Sequence, residues 1–184
     1  SPPVYASFFG FISAAGRRIV TAPLDATGRL DPLSLESSFR SVGPGAVYLL
    51  CNPQNPTGAV HNPDELAQLA ALADAHGVLV ISDEIHAPLT HPGVSFVPYL
   101  TVAGADRGIA LVSASKAWNI AGLKVALALA GPAAKHTLAR LPEVVRHGAN
   151  HLAVLGQTAA YIHGQPWLDR LLDDRVVDPG QAAH

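Results

Sequence analysis

Three short polar segments carry the residue types that could do chemistry in this chain. They are residues 52–58 (Asn-Pro-Gln-Asn-Pro-Thr-Gly), 82–86 (Ser-Asp-Glu-Ile-His) and 113–116 (Ser-Ala-Ser-Lys). Each segment ends its own apolar run, and Lys124 follows eight residues after Lys116. An amide, a carboxylate and a lysine at the ends of separate strands are the groups needed to hold a pyridine ring and to bind its aldehyde. The combination predicts a pyridoxal phosphate site.

Each of the three groups also has an ordinary interpretation. Asp83 follows an apolar run and could pair with a protonated pyridine nitrogen, but it could equally cap the next segment or pair with an arginine. Lys116 could form a Schiff base and act as a base, or it could be a solvated surface lysine. Asn55 could donate its amide to a ring oxygen, or it could simply belong to a proline-rich turn. The Asn-Pro motif is the most specific of the three.

Further polar residues accompany these positions. His86 lies three residues after Asp83 and could reach the same ring oxygen, or it could be a core histidine. Ser113, Ser115 and Lys124 offer two hydroxyls and a cation to a phosphate group, or they provide only turn chemistry and a solvated charge.

Composition excludes several other classes of function. The 184 residues are 49% hydrophobic and 14% charged with a net charge of −2, which indicates one globular core and argues against nucleic acid or anionic lipid as a partner. Cys51 is the only cysteine, which favours a cytoplasmic protein, and no apolar stretch is long enough to cross a membrane. His147 and His151 would share a helix face, but no carboxylate completes a zinc-protease pattern, so no metal site is predicted.

The apolar pattern predicts the elements that must position the polar segments. Strands alternate with helices, and the strands are continuous apolar runs, which is typical of a mostly parallel α/β sheet. Ligands in such sheets bind beyond the carboxyl ends of the strands, where all three segments fall. The predicted strands are 17–22, 46–51, 77–82, 109–113 and 125–130, and the predicted helices are 4–15, 31–40, 62–76, 132–141 and 149–164.

The motifs resemble a known family, the fold-type I pyridoxal phosphate enzymes of aminotransferase class I/II. They are most similar to its MalY/PatB branch of cystathionine β-lyase-type C–S lyases. The motifs come in the family's order, with 28 residues from Asn55 to Asp83 and 33 from Asp83 to Lys116. His86, where ordinary aminotransferases usually carry tyrosine, and Ala-Gly-Leu at 121–123 favour that branch.

The resemblance implies a fold and a set of roles. Residues 1–172 would form part of the three-layer α/β/α large domain, and residues 173–184 an irregular tail. Lys116 would hold the cofactor as a Schiff base and then shuttle the proton at the substrate's α-carbon. Tyr5 would stack on the ring, although the residues alone favour a core tyrosine in an aromatic helix. The implied cofactor-binding residues are Tyr5, Asn55, Asp83, His86, Ser113, Ser115, Lys116 and Lys124.

The chain departs from the family pattern in two respects. Lys124 stands where the family usually has arginine, whose planar fork binds phosphate in a bidentate manner. The family's upstream phosphate loop and its C-terminal small domain, with the arginine for the substrate carboxylate, are absent. We therefore expect a fragment of a longer protein that forms a homodimer.

Three functions follow as hypotheses. The first is β-elimination from a cysteine thioether such as cystathionine, and the second is transamination, which uses the same residues. The third is an inactive truncated fragment.

Overall fold

The structure is a computed structural model, and it describes residues 1–174 of the chain. Helices precede, follow and in one place separate the strands, which gives the α/β class that the sequence pattern predicts. The strands are β1 (Val47–Cys51), β2 (Leu79–Asp83), β3 (Ile109–Val112) and β4 (Leu127–Ala130). The helices are α1 (Ser7–Ala14), α2 (Pro32–Val42), α3 (Pro63–Ala75), α4 (Lys135–Ala139), α5 (Glu143–His147), α6 (His151–His163) and α7 (Gln165–Asp174).

The four strands form one mixed sheet in the order β1-β2-β3-β4. The pairs β1–β2 and β2–β3 are parallel, whereas β4 runs antiparallel to β3. The connections from β2 to β3 and from β3 to β4 contain only short 3-10 turns, and the first returns the chain in the same direction whereas the second reverses it. The expectation of a mostly parallel α/β sheet is therefore confirmed.

Local signals in the sequence explain where two of the long helices begin. The Asp31 side chain accepts a hydrogen bond from the Leu33 N–H at 3.0 Å, and Pro32 occupies the first turn of α2. Asn62 and Glu65 form a reciprocal capping box at the start of α3. Both helices thus begin at the residues that the sequence predicts.

The main core lies between α2, α3 and the sheet. Leu66 and Leu69 of α3 are fully buried, and they belong to one apolar cluster with Leu35, Leu50 and Val80. A second, smaller cluster joins Ala117, Leu168 and Leu172. The second cluster packs α7 beneath the loop that follows β3, which is the loop that carries Lys116.

Two sequence predictions about local structure are wrong. Residues 17–22 are extended but form no strand, because no described strand pairs with them; an apolar run signals extended backbone without supplying a partner. His147 and His151 do not share a helix, since α5 ends at His147 and α6 begins at His151. Among residues 1–174 there is no group of three His, Cys, Asp or Glu side chains that could hold a metal ion.

The structure describes only residues 173 and 174 of the predicted irregular tail, and both are helical. Helix α7 runs to Asp174 and so includes the first two residues of that tail. The remaining part, residues 175–184, lies outside the described residues. Within the described part of the chain, every helix is too short or too polar to cross a membrane.

Candidate active site

The register of the sheet brings the three polar segments to one edge. Cys51 pairs with Asp83 across β1–β2, and Asp83 pairs with Leu111 across β2–β3. The pairing continues beyond the strands, because the Asn52 N–H donates to the Asp83 carbonyl at 3.0 Å and the Glu84 N–H donates to the Leu111 carbonyl at 2.9 Å. The expected meeting of the three segments at the carboxyl ends of the strands is therefore observed.

Asp83 is the last residue of β2, and its carboxylate is half-buried. Oδ1 accepts one hydrogen bond, from the Ile85 N–H at 3.2 Å. Burial raises the pKa of this carboxyl, whereas the Ile85 hydrogen bond and the positive charges of His86 and Lys116 oppose the rise. In the described range no cationic side chain lies within 4.0 Å of the carboxylate. A half-buried carboxylate without a close cation fits a protonated ring nitrogen.

His86 follows Asp83 by three residues and lines a cleft beside the carboxyl end of β2. Its ring is half-buried, and burial lowers its pKa. The charge of Lys116 lowers that pKa further, and the charge of Asp83 raises it. The charges of Asp83 and Lys116 thus act on His86 in opposite directions, and joint binding of a cofactor by these three residues stays a prediction.

Helix α6 and Gly164, the residue that follows α6, hold the loop that carries Lys116. Gln157 of α6 accepts the Ala114 N–H at 3.1 Å through Oε1. The Trp118 Nε1–H donates to the Gly164 carbonyl at 2.9 Å, and the indole packs edge-to-face on Tyr161. Lys116 itself is exposed and forms no ion pair among residues 1–174. Its amine is therefore accessible on a loop that is well fixed.

Asn55 and His86 line the same cleft, which has a volume of about 600 Å³. The 52–58 loop forms one side of the cleft, and residues 89–91 contribute to the other. The Asn55 N–H donates to Cys51 Sγ at 3.3 Å, and this sulfur in turn donates to the Pro53 carbonyl at 3.4 Å. Shared access to one cleft is consistent with both side chains reaching a single ring oxygen.

Ser113, Ser115 and Lys124, which are predicted to bind phosphate, differ in burial and in hydrogen bonding. Ser113 is buried, and its hydroxyl donates to the Val125 carbonyl at 2.7 Å and accepts the Ser115 N–H at 3.1 Å. Ser113 therefore closes the loop between β3 and β4 in this structure. Lys124 precedes Val125, is exposed, and has a left-handed backbone with φ of 53°. Phosphate binding by Ser113, Ser115 and Lys124 stays a prediction.

Tyr5 lies just before α1 and is 42% exposed. Its ring contacts Phe8 edge-to-face with 5.8 Å between the ring centroids. Tyr5 does not line the cleft that Asn55 and His86 share. The alternative of a buried core tyrosine is wrong, whereas stacking on a cofactor stays a prediction.

Sequence reasoning missed several residues that support the site. Glu84 is almost fully buried, and its Oε1 accepts hydrogen bonds from Ser82 Oγ at 2.9 Å and from the Tyr99 N–H at 2.8 Å. Gln54 and Gln157 are buried amides that bind distant backbone groups. No sequence signal identifies such bonds, because each depends on segments far apart in the chain.

Comparison with known proteins agrees with this geometry. The aminotransferase class I and II family matches residues 1–163. The "Putative cystathionine beta-lyase" of Mycobacterium tuberculosis is 53% identical over 176 residues, which cover 92% of this chain and 43% of that protein. The cystathionine beta-lyase PatB of Bacillus subtilis is 34% identical, with 93% of this chain and 46% of PatB covered.

A solved structure shows the same fold. The crystal structure of a "putative plp-dependent beta-cystathionase" from Corynebacterium diphtheriae superposes with a TM-score of 0.83 at 35% identity, covering 94% of this chain and 45% of that one. The fold and the strand-edge site thus define an α/β protein of the fold-type I class. The chain belongs to the aminotransferase class I and II family, and it spans less than half the length of the relatives it matches.

Proposed function

We propose that the protein to which this chain belongs is a pyridoxal-phosphate-dependent C–S β-lyase. Its substrate would be cystathionine or a related cysteine thioether, which it cleaves to a thiol, pyruvate and ammonia. The observation that carries the proposal is the half-buried Asp83 carboxylate with His86 and Lys116 beside it at one sheet edge. The 53% identity to a protein named as a cystathionine beta-lyase supports the choice of reaction.

The residues present fit the cofactor, and each would have a distinct task. Asp83 would bind the protonated ring nitrogen, because its carboxylate has no close cation among the described residues. Asn55 and His86, which share a cleft, would bind the ring oxygen. Ser113, Ser115 and Lys124 would hold the phosphate, Tyr5 would stack on the ring, and Lys116 would bind the aldehyde. Bound there, the pyridinium ring supplies a sink for the electron pair of the substrate's α-carbon.

Lys116 would move the proton in this reaction. Its exposed Nζ, on a loop fixed by Gln157 and Trp118, can accept the α-proton of the substrate when neutral. The positive charge of Lys116 lowers the pKa of both His86 and Asp83, so loss of that charge would shift both pKa values upward. The Cβ–S bond would then break, the sulfur would leave as a thiolate that takes up a proton, and water would hydrolyse the remaining three-carbon enamine to pyruvate and ammonia.

The proposal also covers the domain organisation, the cellular location and the oligomeric state of the complete protein. Residues 1–172 would be part of its cofactor-binding large domain, and the protein would be a cytoplasmic homodimer. The support is the resemblance to enzymes that build their site between two subunits, together with the single cysteine. Light scattering of the purified complete protein tests the dimer, and a monomeric mass would contradict it.

The reaction is tested by supplying cystathionine to the complete protein and measuring pyruvate and free thiol. Equal amounts of the two products are expected, and Lys116→Ala should abolish both. Lys135→Ala, which changes an exposed lysine at the start of α4, is the matched control and should leave turnover unchanged. Turnover that requires an added keto acid and releases no thiol would contradict the lyase and indicate transamination.

A further inference from the structure

Gln54 joins the 52–58 loop to the N-terminal segment of the chain. In the sequence Gln54 stands between Asn52 and Asn55, and it is 2% exposed. Nε2 donates two hydrogen bonds, one to the Pro3 carbonyl at 2.6 Å and one to the Ser1 carbonyl at 3.1 Å. Both amide hydrogens are therefore used to hold a segment that belongs to no helix or strand.

Two other hydrogen bonds within residues 1–174 hold the N-terminal segment, and one of them joins Ser1 Oγ to Tyr48 Oη at 2.5 Å. Pro2 and Pro3 have no N–H, so this part of the backbone cannot donate to a neighbouring strand. One backbone bond reaches it, from the Leu24 N–H to the Pro2 carbonyl at 3.0 Å. The Gln54 amide binds the carbonyls of Ser1 and Pro3, the residues before and after Pro2, which makes Gln54 a principal attachment of the segment.

The main chain of Gln54 is itself fixed within the loop. Its N–H donates to the Ala59 carbonyl at 2.8 Å, and its carbonyl accepts the Gly58 N–H at 2.7 Å. The following residue, Asn55, is held through its N–H by Cys51 Sγ. The side chain of Gln54 therefore extends from a rigid support to residues 1–3.

Two proposed cofactor contacts lie directly beside this connection. Tyr5 follows Pro3 by two residues, and Asn55 follows Gln54 immediately. We propose that Gln54 is a positioning residue that fixes the Tyr5 segment relative to Asn55, so that both can contact one cofactor ring. This inference rests on the proposed function, and Gln54 acts on the cofactor through Tyr5.

The first test needs no cofactor. Gln54→Met keeps the length of the side chain and removes both donors, and Gln54→Leu serves as a second variant if the first does not fold. Hydrogen exchange of the peptide containing residues 4–9 is measured in the cofactor-free complete protein. We expect exchange in this peptide to be at least about tenfold faster in the variant.

The matched control is Thr101→Val. Thr101 Oγ1 donates to the Pro98 carbonyl at 2.7 Å, so this variant also removes a side-chain bond to a backbone carbonyl, and neither residue lines the cavity beside residues 4–9 or the cleft at Asn55. It should leave exchange of the 4–9 peptide unchanged. Equal exchange in Gln54→Met and in the wild type would overturn the inference.

The second test measures coupling to Tyr5. The dissociation constant of pyridoxal phosphate is measured by absorbance titration for the wild type, Gln54→Met, Tyr5→Leu and the double variant. Each single change should weaken binding by about tenfold, and the double variant should be no weaker than Tyr5→Leu within about twofold. Effects that multiply would show that Gln54 does not act through Tyr5, and they would overturn the inference.

Failure of the proposed function would give a different result. Wild-type protein that binds no pyridoxal phosphate would overturn the proposed function, and the positioning role with it. Wild-type binding combined with independent effects of the two residues would overturn the positioning role alone.

Discussion

Acidification is expected to destabilise the fold through one buried histidine. His61 lies between the 52–58 loop and α3, is fully buried, and has no hydrogen-bond partner at either ring nitrogen among the described residues. Burial lowers its pKa to about 4, with the nearby Glu65 carboxylate opposing the change. Folded His61 therefore stays neutral at pH values at which a histidine of the unfolded chain is already charged.

The size and sign of the effect follow from this difference. Between pH 6.5 and about 4 the unfolded chain binds a proton that folded His61 does not, so the free energy of unfolding falls as the pH falls. The full loss is about 3 kcal/mol, most of which is reached at pH 4.5. Asp83 and Glu84 have raised pKa values and act in the opposite direction, so the histidine effect must be measured as a difference between variants.

Urea unfolding at pH 7.5 and pH 4.5 isolates the effect. His61→Leu replaces the imidazole by a side chain that cannot charge, and it leaves Asp83 and Glu84 unchanged. The wild type should lose about 2 to 3 kcal/mol more than this variant between the two pH values. His136→Leu, which changes an exposed histidine on α4, is the control and should behave as the wild type. Equal losses in wild type and His61→Leu would refute the reasoning.

Three further predictions concern the site and its support. Lys124→Arg should tighten pyridoxal phosphate binding by about threefold to tenfold, because arginine offers a bidentate fork, and an unchanged dissociation constant would contradict this. Asp83→Asn should lower lyase turnover at least about a hundredfold without altering far-UV circular dichroism, since the ring nitrogen loses its counter-charge; near-normal turnover would argue against that role. Trp118→Phe should lower the free energy of unfolding by about 1 kcal/mol through loss of the bond to the Gly164 carbonyl, as measured in urea, and an unchanged midpoint would show that the bond contributes nothing.

Much of the fold can be predicted because its signals are local. The Asp31-Pro32 and Asn62-Pro63 pairs start helices through side-chain caps that need no tertiary contact. Continuous apolar runs mark the buried strands, and the polar residues after them fall at the carboxyl edge of the sheet. The placement of Asp83 and Lys116 at that edge is therefore accessible from sequence.

Other features depend on pairing and packing between distant segments. Residues 17–22 have an apolar centre like a strand, yet nothing in their own sequence indicates whether a neighbour pairs with them. The Ser113 hydroxyl binds Val125, and the Gln54 amide binds Pro3, which lies 51 residues away in the chain. The sequence predicts a helix only as far as residue 164 in this region, whereas α7 extends from Gln165 to Asp174 and packs Leu168 and Leu172 against Ala117.

The central claim is that Lys116 is the residue that binds pyridoxal phosphate. It is tested by treating the protein with pyridoxal phosphate, reducing with borohydride, and mapping the modified peptide by mass spectrometry. The account predicts one pyridoxyl group, confined to Lys116 and lost in Lys116→Ala but kept in Lys135→Ala. No adduct, or labelling spread over the exposed lysines, would contradict it.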